Sequence, residues 1–135
     1  MEFGSRMTTR VLLATAATLE AVTGLALIIA PSIAGFLLGT GISGAALGIA
    51  RMAGFGLLSL GVACWPRVEA TIARVRAMLI YNLVATAYLG YLRFSSQSVG
   101  KLLLPALAAH AVLAILFVGV WLKDHSNRAS KRSWT

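Results

Sequence analysis

Charged residues are scarce in this chain. Asp, Glu, Lys and Arg together make up only 12% of its 135 residues, and just four of these are acidic. A soluble domain carries charge on about a quarter of its residues. Because 59% of the residues are hydrophobic and the mean hydropathy is +0.84, the composition excludes an ordinary soluble domain. The length leaves room for a single compact unit.

Cysteine and recognisable catalytic motifs are also nearly absent. Cys64 is the only cysteine, which excludes an intramolecular disulfide and a thiolate metal cage. The sequence has no Walker loop, GxSxG elbow, CxxC, Glu-x-x-His pair or paired carboxylates. We therefore predict no catalytic residue, no metal site and no cofactor, and interpret Cys64 as a small buried residue. Acid–base catalysis by one Glu, one His and one Arg remains an alternative, although no nucleophile accompanies them.

Four apolar runs of about 20 residues predict an all-α, four-helix transmembrane bundle. At about 1.5 Å per residue, each run crosses a hydrocarbon core of about 30 Å. We predict one membrane domain over residues 7–122, followed by a basic cytoplasmic tail at residues 123–135. Residues 1–6 are interpreted as a cloning-site remnant before a natural start at Met7. The predicted spans are 11–30, 43–64, 73–92 and 102–122.

The basic residues between the spans predict the orientation of the chain. Cytoplasmic loops of membrane proteins carry an excess of Lys and Arg, and here nine such residues fall on one side against two on the other. Both termini are therefore predicted to be cytoplasmic, and the net charge of +8 reflects topology and not binding to nucleic acid. The nine are Arg6, Arg10, Arg67, Arg74, Arg76, Lys123, Arg128, Lys131 and Arg132, and the two are Arg93 and Lys101.

The first predicted loop, residues 31–42, carries no charge. It is too apolar for a solvated loop and too short to span the bilayer. Two structures fit it: a short helix lying in the outer interface, or a re-entrant segment that dips back into the bundle. We favour the interfacial helix.

Small residues in the second span predict close helix packing. Gly44 and Gly48 form a small-xxx-small pattern, which lets two helix backbones approach each other. The pattern fits a contact within the bundle or the interface of a homodimer, and both alternatives remain open.

Four residues at membrane depth are polar, and each lies on a different span. Glu20 and Asn82 each lie nine residues from the cytoplasmic start of their spans, about 13 Å deep. Arg51 and His110 each lie eight residues from the outer start of theirs, about 12 Å deep. All four are thus expected in a layer roughly 5 Å thick near the midplane, with Tyr81 beside Asn82.

Pairing is the cheapest way to keep charge at that depth, where an isolated Glu or Arg costs at least about 3 kcal/mol. We therefore predict an ion pair between Glu20 and Arg51, with Asn82, Tyr81 and His110 satisfying the remaining donors and acceptors. In the favoured interpretation this cluster binds or passes a proton, an ion or a small polar solute. In the alternative it only fixes helix register, and the chain is an accessory protein that acts through a membrane-protein partner.

Several elements resemble a known family. Gly48-Ile49-Ala50-Arg51, Tyr81-Asn82 and the spacing from Pro105 to His110 look like those of a widespread group of small, uncharacterised bacterial four-helix membrane proteins. The resemblance covers nearly all of residues 11–122. It implies a multi-pass protein of the bacterial cytoplasmic (inner) membrane, and it points to Arg51, Tyr81, Asn82 and His110.

Two other groups are similar in size and span number. DoxX-like proteins share only this architecture. Small multidrug resistance transporters also carry a Glu in the first span, where this chain has Glu20. This chain lacks the aromatic-rich third span expected in those transporters and places Arg51 in the second span, which puts drug–proton antiport in doubt.

Overall fold

All regular structure in the described part of the chain is α-helical. The computed structural model describes residues 2–39, 41, 43–66, 72–95 and 100–132. Four of its helices are long and apolar enough to cross a membrane, which confirms the predicted all-α fold with four long apolar helices. In chain order the helices are α1 (Glu2–Ile29), α2 (Pro31–Leu38), α3 (Ala45–Cys64), α4 (Ile72–Ser95) and α5 (Leu103–Arg132).

A proline ends α1 and begins α2. Proline disfavours the helical conformation in the residue before it, and Ala30 accordingly adopts φ −135° and ψ 58°. Pro31 itself is well suited to the first turn of α2, since its missing N–H needs no partner there. Gly39 caps the end of α2 with φ 88° and donates its amide N–H to the Phe36 carbonyl oxygen. The uncharged first loop thus contains one short helix.

Glycines bring α1 and α3 into backbone contact. A Cβ on Gly24 would lie 2.6 Å from the Gly54 carbonyl oxygen, and one on Gly61 would lie 2.7 Å from the Ala17 carbonyl oxygen. No side chain fits in either place. Because Gly24 faces Gly54 while Ala17 faces Gly61, the two helices run antiparallel and their register is fixed.

The predicted packing glycines, Gly44 and Gly48, make no such contact. A Cβ on either would meet nothing within 4 Å. Gly44 instead precedes α3 with φ 56°, and Gly48 lies on an exposed face. The prediction of an intramolecular contact there is wrong, because six residues separate Gly48 from Gly54 and about 100° of rotation per residue turns Gly48 away from α1. A contact between two copies through these glycines stays a prediction.

The helices form two antiparallel pairs, α1 with α3 and α4 with α5. The start of α5 is tied to the end of α2, because the Leu102 amide donates to the Leu37 carbonyl at 2.9 Å and Gly100 packs directly against Gly39. The start of α1 and the end of α5 therefore lie at one end of the bundle, here called the terminal end, and α2 lies at the other, the α2 end.

The predicted cloning-site remnant and the predicted cytoplasmic tail are largely helical and continue α1 and α5. Residues 2–6 belong to α1 and residues 123–132 belong to α5, without a break in either helix. The helical segments extend beyond the apolar spans at the terminal end. Arg67, which the orientation count includes, and residues 133–135 lie outside the described residues.

The hydrophobic core lies towards the terminal end. It is built mostly from small and medium side chains of α1, α3, α4 and α5, together with the fully buried Phe117. Large apolar side chains face outward instead, and Phe94, Phe36 and Ile115 are each more than two-thirds exposed. The bundle nevertheless buries two polar side chains, Glu20 and Asn82. The core cluster comprises Leu12, Leu13, Ala16, Ala17, Cys64, Val75, Met78, Leu113 and Phe117.

Candidate functional site

Glu20 points into the bundle from α1. Residues three and four apart share one face of a helix, and Glu20 follows the fully buried Ala16 and Ala17 by one turn on the core face. Its side chain is only 1% exposed. The carboxylate therefore sits directly above the hydrophobic core, on the side towards the α2 end.

Asn82 on α4 lies at the same level of the bundle as Glu20 and is fully buried. Its Nδ2 donates to the Met78 carbonyl oxygen, one turn earlier, at 2.8 Å. Because a carbonyl oxygen can only accept, this bond fixes the orientation of the carboxamide and turns Oδ1 towards α5. There Oδ1 lies 3.0 Å from Nδ1 of His110, so Nδ1 must carry a proton and donate it.

His110 on α5 is the cationic candidate nearest to Glu20. Its Nδ1 lies 3.9 Å from Oε1 of Glu20, too long for a hydrogen bond. Among the described residues, that Oε1 atom has no hydrogen-bond partner although it is buried. The His110 side chain is 13% exposed against 1% for Glu20, so the histidine lies nearer the surface of the bundle.

Tyr81 completes the cluster. Its side chain hydrogen-bonds to the Glu20 carboxylate, and its ring packs edge-on against the His110 ring with centroids 5.7 Å apart. We call Glu20, Tyr81, Asn82 and His110 the polar layer. Three helices contribute to it, so it forms only when α1, α4 and α5 are assembled.

Glu20 and Arg51 do not form the predicted ion pair. Arg51 is exposed, and within the described residues no salt bridge joins it to Glu20. The register of α1 on α3 explains the error. Gly24 faces Gly54, so Arg51 lies about one turn beyond that contact towards the α2 end, while Glu20 lies about one turn from it towards the terminal end. The two residues are therefore about 10 Å apart along the bundle.

The sequence thus predicted the common level of Glu20, Asn82 and His110, with Tyr81 beside them. It misplaced Arg51. It did not foresee that His110 would be the group facing Glu20. The missing signal was the small-residue face of α1, where Ala17, Ala21 and Gly24 oppose α3 and fix which part of α3 lies level with Glu20.

The polar layer can hold protons but offers little to a metal ion. Its groups are one carboxylate, one imidazole, one phenol and one carboxamide. No three His, Cys, Asp or Glu side chains come together in the described part of the chain. Cys64 is buried at the terminal end of α3, away from the layer, in agreement with its interpretation as a packing residue.

Two hollows in the described part of the chain are lined by no residue of the polar layer, although the larger one runs past its level. The larger, of about 850 Å³, is an open groove between α1 and α5 whose two threonine hydroxyls are satisfied by their own helix. The smaller, of about 260 Å³, lies near the terminal end. The groove is lined by Ala14, Thr15, Thr18, Leu19, Val22, Ala108, Ala109, Val112 and Leu113, and the smaller hollow by Arg76, Leu79, Ile80 and Trp121.

No protein-family model, curated protein or solved structure matches this chain significantly. The resemblance to small bacterial four-helix membrane proteins therefore stays an expectation drawn from the sequence elements alone.

Proposed function

We propose that the chain is a multi-pass protein of a bacterial cytoplasmic membrane with both termini in the cytoplasm. Support comes from four candidate membrane spans and from large apolar side chains that face outward around the bundle. Hydrocarbon solvates such side chains, whereas water does not. The excess of basic residues at the terminal end supports the orientation, and the family resemblance supports the bacterial membrane.

The proposed function is to bind or pass a proton or a small polar solute at the polar layer. One observation carries this proposal: Glu20 is buried at membrane depth, and among the described residues its Oε1 has no hydrogen-bond partner and the nearest basic group is His110 at 3.9 Å. A buried carboxyl group is costly in such a place. Since Arg51 does not compensate it, a binding role accounts for the residue better than a purely structural one.

A non-catalytic accessory function is the second candidate. The bond between Asn82 and His110 joins α4 to α5, and a buried polar contact of this kind can fix how two helices pack. In that case the layer specifies the bundle, and the work is done at an interface with a larger membrane-protein partner.

Ligand-dependent stability in lipid nanodiscs separates these candidates. We would measure the melting temperature of wild type, Glu20→Gln and Arg51→Gln across pH and with a panel of small polar solutes. Arg51→Gln is the matched control because it removes a charge at similar sequence depth outside the layer. A pH- or solute-dependent stabilisation that survives in Arg51→Gln and disappears in Glu20→Gln supports the proposal.

The opposite result is equally informative. If the melting temperature of all three proteins responds identically to pH and to every solute, the binding function is wrong. Co-purification of a larger membrane protein that persists with Glu20→Gln would then favour the accessory function.

A further inference from the structure

Glu20 and Asn82 of the polar layer are closely packed on all sides. Small-molecule sites are hollows of about 300–1,000 Å³, whereas Glu20 and Asn82 are 1% and 0% exposed. Neither of the two hollows is lined by a residue of the layer. A proton needs no cavity, because it binds as a hydrogen on an atom already present. The packing around Glu20 therefore distinguishes between the two ligands that the proposed function leaves open.

We propose that the ligand of the polar layer is a single proton, shared by Glu20 and His110, and that His110 delivers it to Glu20. This inference rests on the proposed function and narrows it to one ligand. The unpaired, buried Oε1 of Glu20 is the acceptor, and the Nδ1–H of His110, 3.9 Å away, is the donor.

Asn82 sets the direction of the transfer. Its Oδ1 holds the proton of His110 on Nδ1, which leaves the lone pair of the neutral ring on Nε2. An incoming proton forms an N–H bond at Nε2 and makes the ring cationic. The Nδ1–H bond then breaks, its electron pair stays on nitrogen, and an O–H bond forms at Oε1. The products are a neutral imidazole protonated at Nε2 and a neutral carboxylic acid.

The transfer needs only a small motion. The gap of 3.9 Å between Nδ1 and Oε1 must shorten by about 1 Å to reach hydrogen-bonding distance. His110 exchanges one acceptor, Asn82, for the other, Glu20. The greater exposure of His110 suits it to collect the proton, whereas Glu20 is nearly inaccessible.

Within the described part of the chain, no other charged group at this level competes for the role. In α3, Arg51 is exposed and lies about 10 Å towards the α2 end, while the Cys64 thiol lies at the terminal end. In α4, Tyr81 faces the carboxylate and Arg74 lies about two turns towards the terminal end. Helix α2 has no titratable side chain. Among the described residues, His110 is therefore the group that can neutralise Glu20 by sharing one proton.

Infrared difference spectroscopy of the protein in nanodiscs tests the proton directly. At neutral pH we expect the carbonyl stretch of a protonated carboxylic acid on Glu20, whereas the ring mode of an imidazolium without that band would overturn delivery to Glu20. The carboxyl band should vanish at alkaline pH and should be absent in Glu20→Gln. His125→Gln is the matched control, because it removes the exposed second histidine at the far end of α5 and should leave the spectrum unchanged.

Delivery is tested by the rate after a rapid drop in pH. His110→Gln should retain the carboxyl band at equilibrium but slow its appearance at least tenfold. A wild-type rate in His110→Gln overturns the delivery step. If Glu20→Gln does not elute as a monodisperse helical protein, Tyr81→Phe replaces it: loss of its hydrogen bond should shift the carboxyl band towards that of a free acid.

The outcomes separate this inference from the proposed function. A spectrum in which Glu20 is ionised and His110 neutral at every pH overturns the shared proton. If a polar solute nevertheless stabilises the wild type and not Glu20→Gln, the proposed binding function stands with a different ligand. If neither protons nor solutes act through Glu20, both proposals fail.

Discussion

Arg51 is a charge within an apolar span that the structure leaves on the bundle surface. Its long side chain can extend along the helix and carry the guanidinium towards the membrane interface. Residues more than about 7–10 Å apart without shared partners act additively on stability. We therefore predict that Glu20→Gln and Arg51→Gln change the free energy of unfolding independently, with a coupling below about 0.5 kcal/mol.

The measurement is a double-mutant cycle on the purified protein, unfolded by denaturing detergent in mixed micelles. Helix content by circular dichroism reports the transition. A coupling well above 1 kcal/mol would mean that the two side chains meet, as the sequence predicted, and that the register of α1 on α3 is wrong.

Asn82 and His110 should behave differently, because their side chains share a hydrogen bond of 3.0 Å. Intramembrane hydrogen bonds contribute about 0.6 kcal/mol on average and up to about 1.7 kcal/mol. The same type of cycle with Asn82→Ala and His110→Ala should therefore give a coupling in that range. Asn82→Ala combined with His125→Ala provides the control, since His125 lies near the terminal end, and that pair should be additive.

At the scale of elements, the contact between α1 and α3 depends on two glycines of α3. A Cβ on Gly54 would lie 2.7 Å from the Gly24 carbonyl oxygen, and this backbone atom cannot move aside as the end of a flexible side chain does. Overpacking of this kind costs about 1–3 kcal/mol. We predict that Gly54→Ala lowers the free energy of unfolding by that amount.

Gly56→Ala is the matched control on the same helix. A Cβ there would meet nothing within 4 Å, and alanine is the better helix former by about 0.5–1 kcal/mol in water. The substitution should leave stability unchanged or slightly raised when unfolding is followed in mixed micelles. Equal losses for Gly54→Ala and Gly56→Ala would contradict the packing face assigned to α3.

The positions of the apolar spans were predictable from the sequence, but the helical extensions of α1 and α5 beyond them and the faces by which the helices pack were not. Pro31 and Trp65-Pro66 mark where α1 and α3 end, because proline interrupts a helix, and apolar length marks the other spans. Gly44, Gly48, Gly54 and Gly61 look alike in composition. Only the surface that α1 presents decides that Gly54 and Gly61 make the contact, and that surface is a property of the assembled pair.

At the scale of the molecule, the same limit explains which part of the candidate site was predictable. Depth follows from position within a span, so Glu20, Asn82 and His110 were correctly placed at one level. The depth of Arg51 also depended on the axial register of α3 against α1. The contact between Gly24 and Gly54 sets that register, and the sequence offers no independent measure of it.

The orientation of the whole bundle in the membrane is the last prediction. The start of α1 and the end of α5 lie at one end of the bundle, and from the flanking basic residues we predict that this end faces the cytoplasm. Cys64 is buried, so Cys64→Ala gives a cysteine-free background for single cysteines at two exposed positions. In intact bacterial cells, a membrane-impermeant maleimide should label Ser43→Cys, near the α2 end. It should label Ser126→Cys, at the terminal end, only after the cells are permeabilised.

The pair of sites makes the result decisive. The reverse pattern would place the termini outside, and labelling of both positions in intact cells would contradict a fixed orientation. The expected pattern puts Ser126 on the cytoplasmic side and α2 at the outer interface. His110 lies in the half of α5 that begins at the α2 end, so the expected orientation also predicts that protons reach the polar layer from outside.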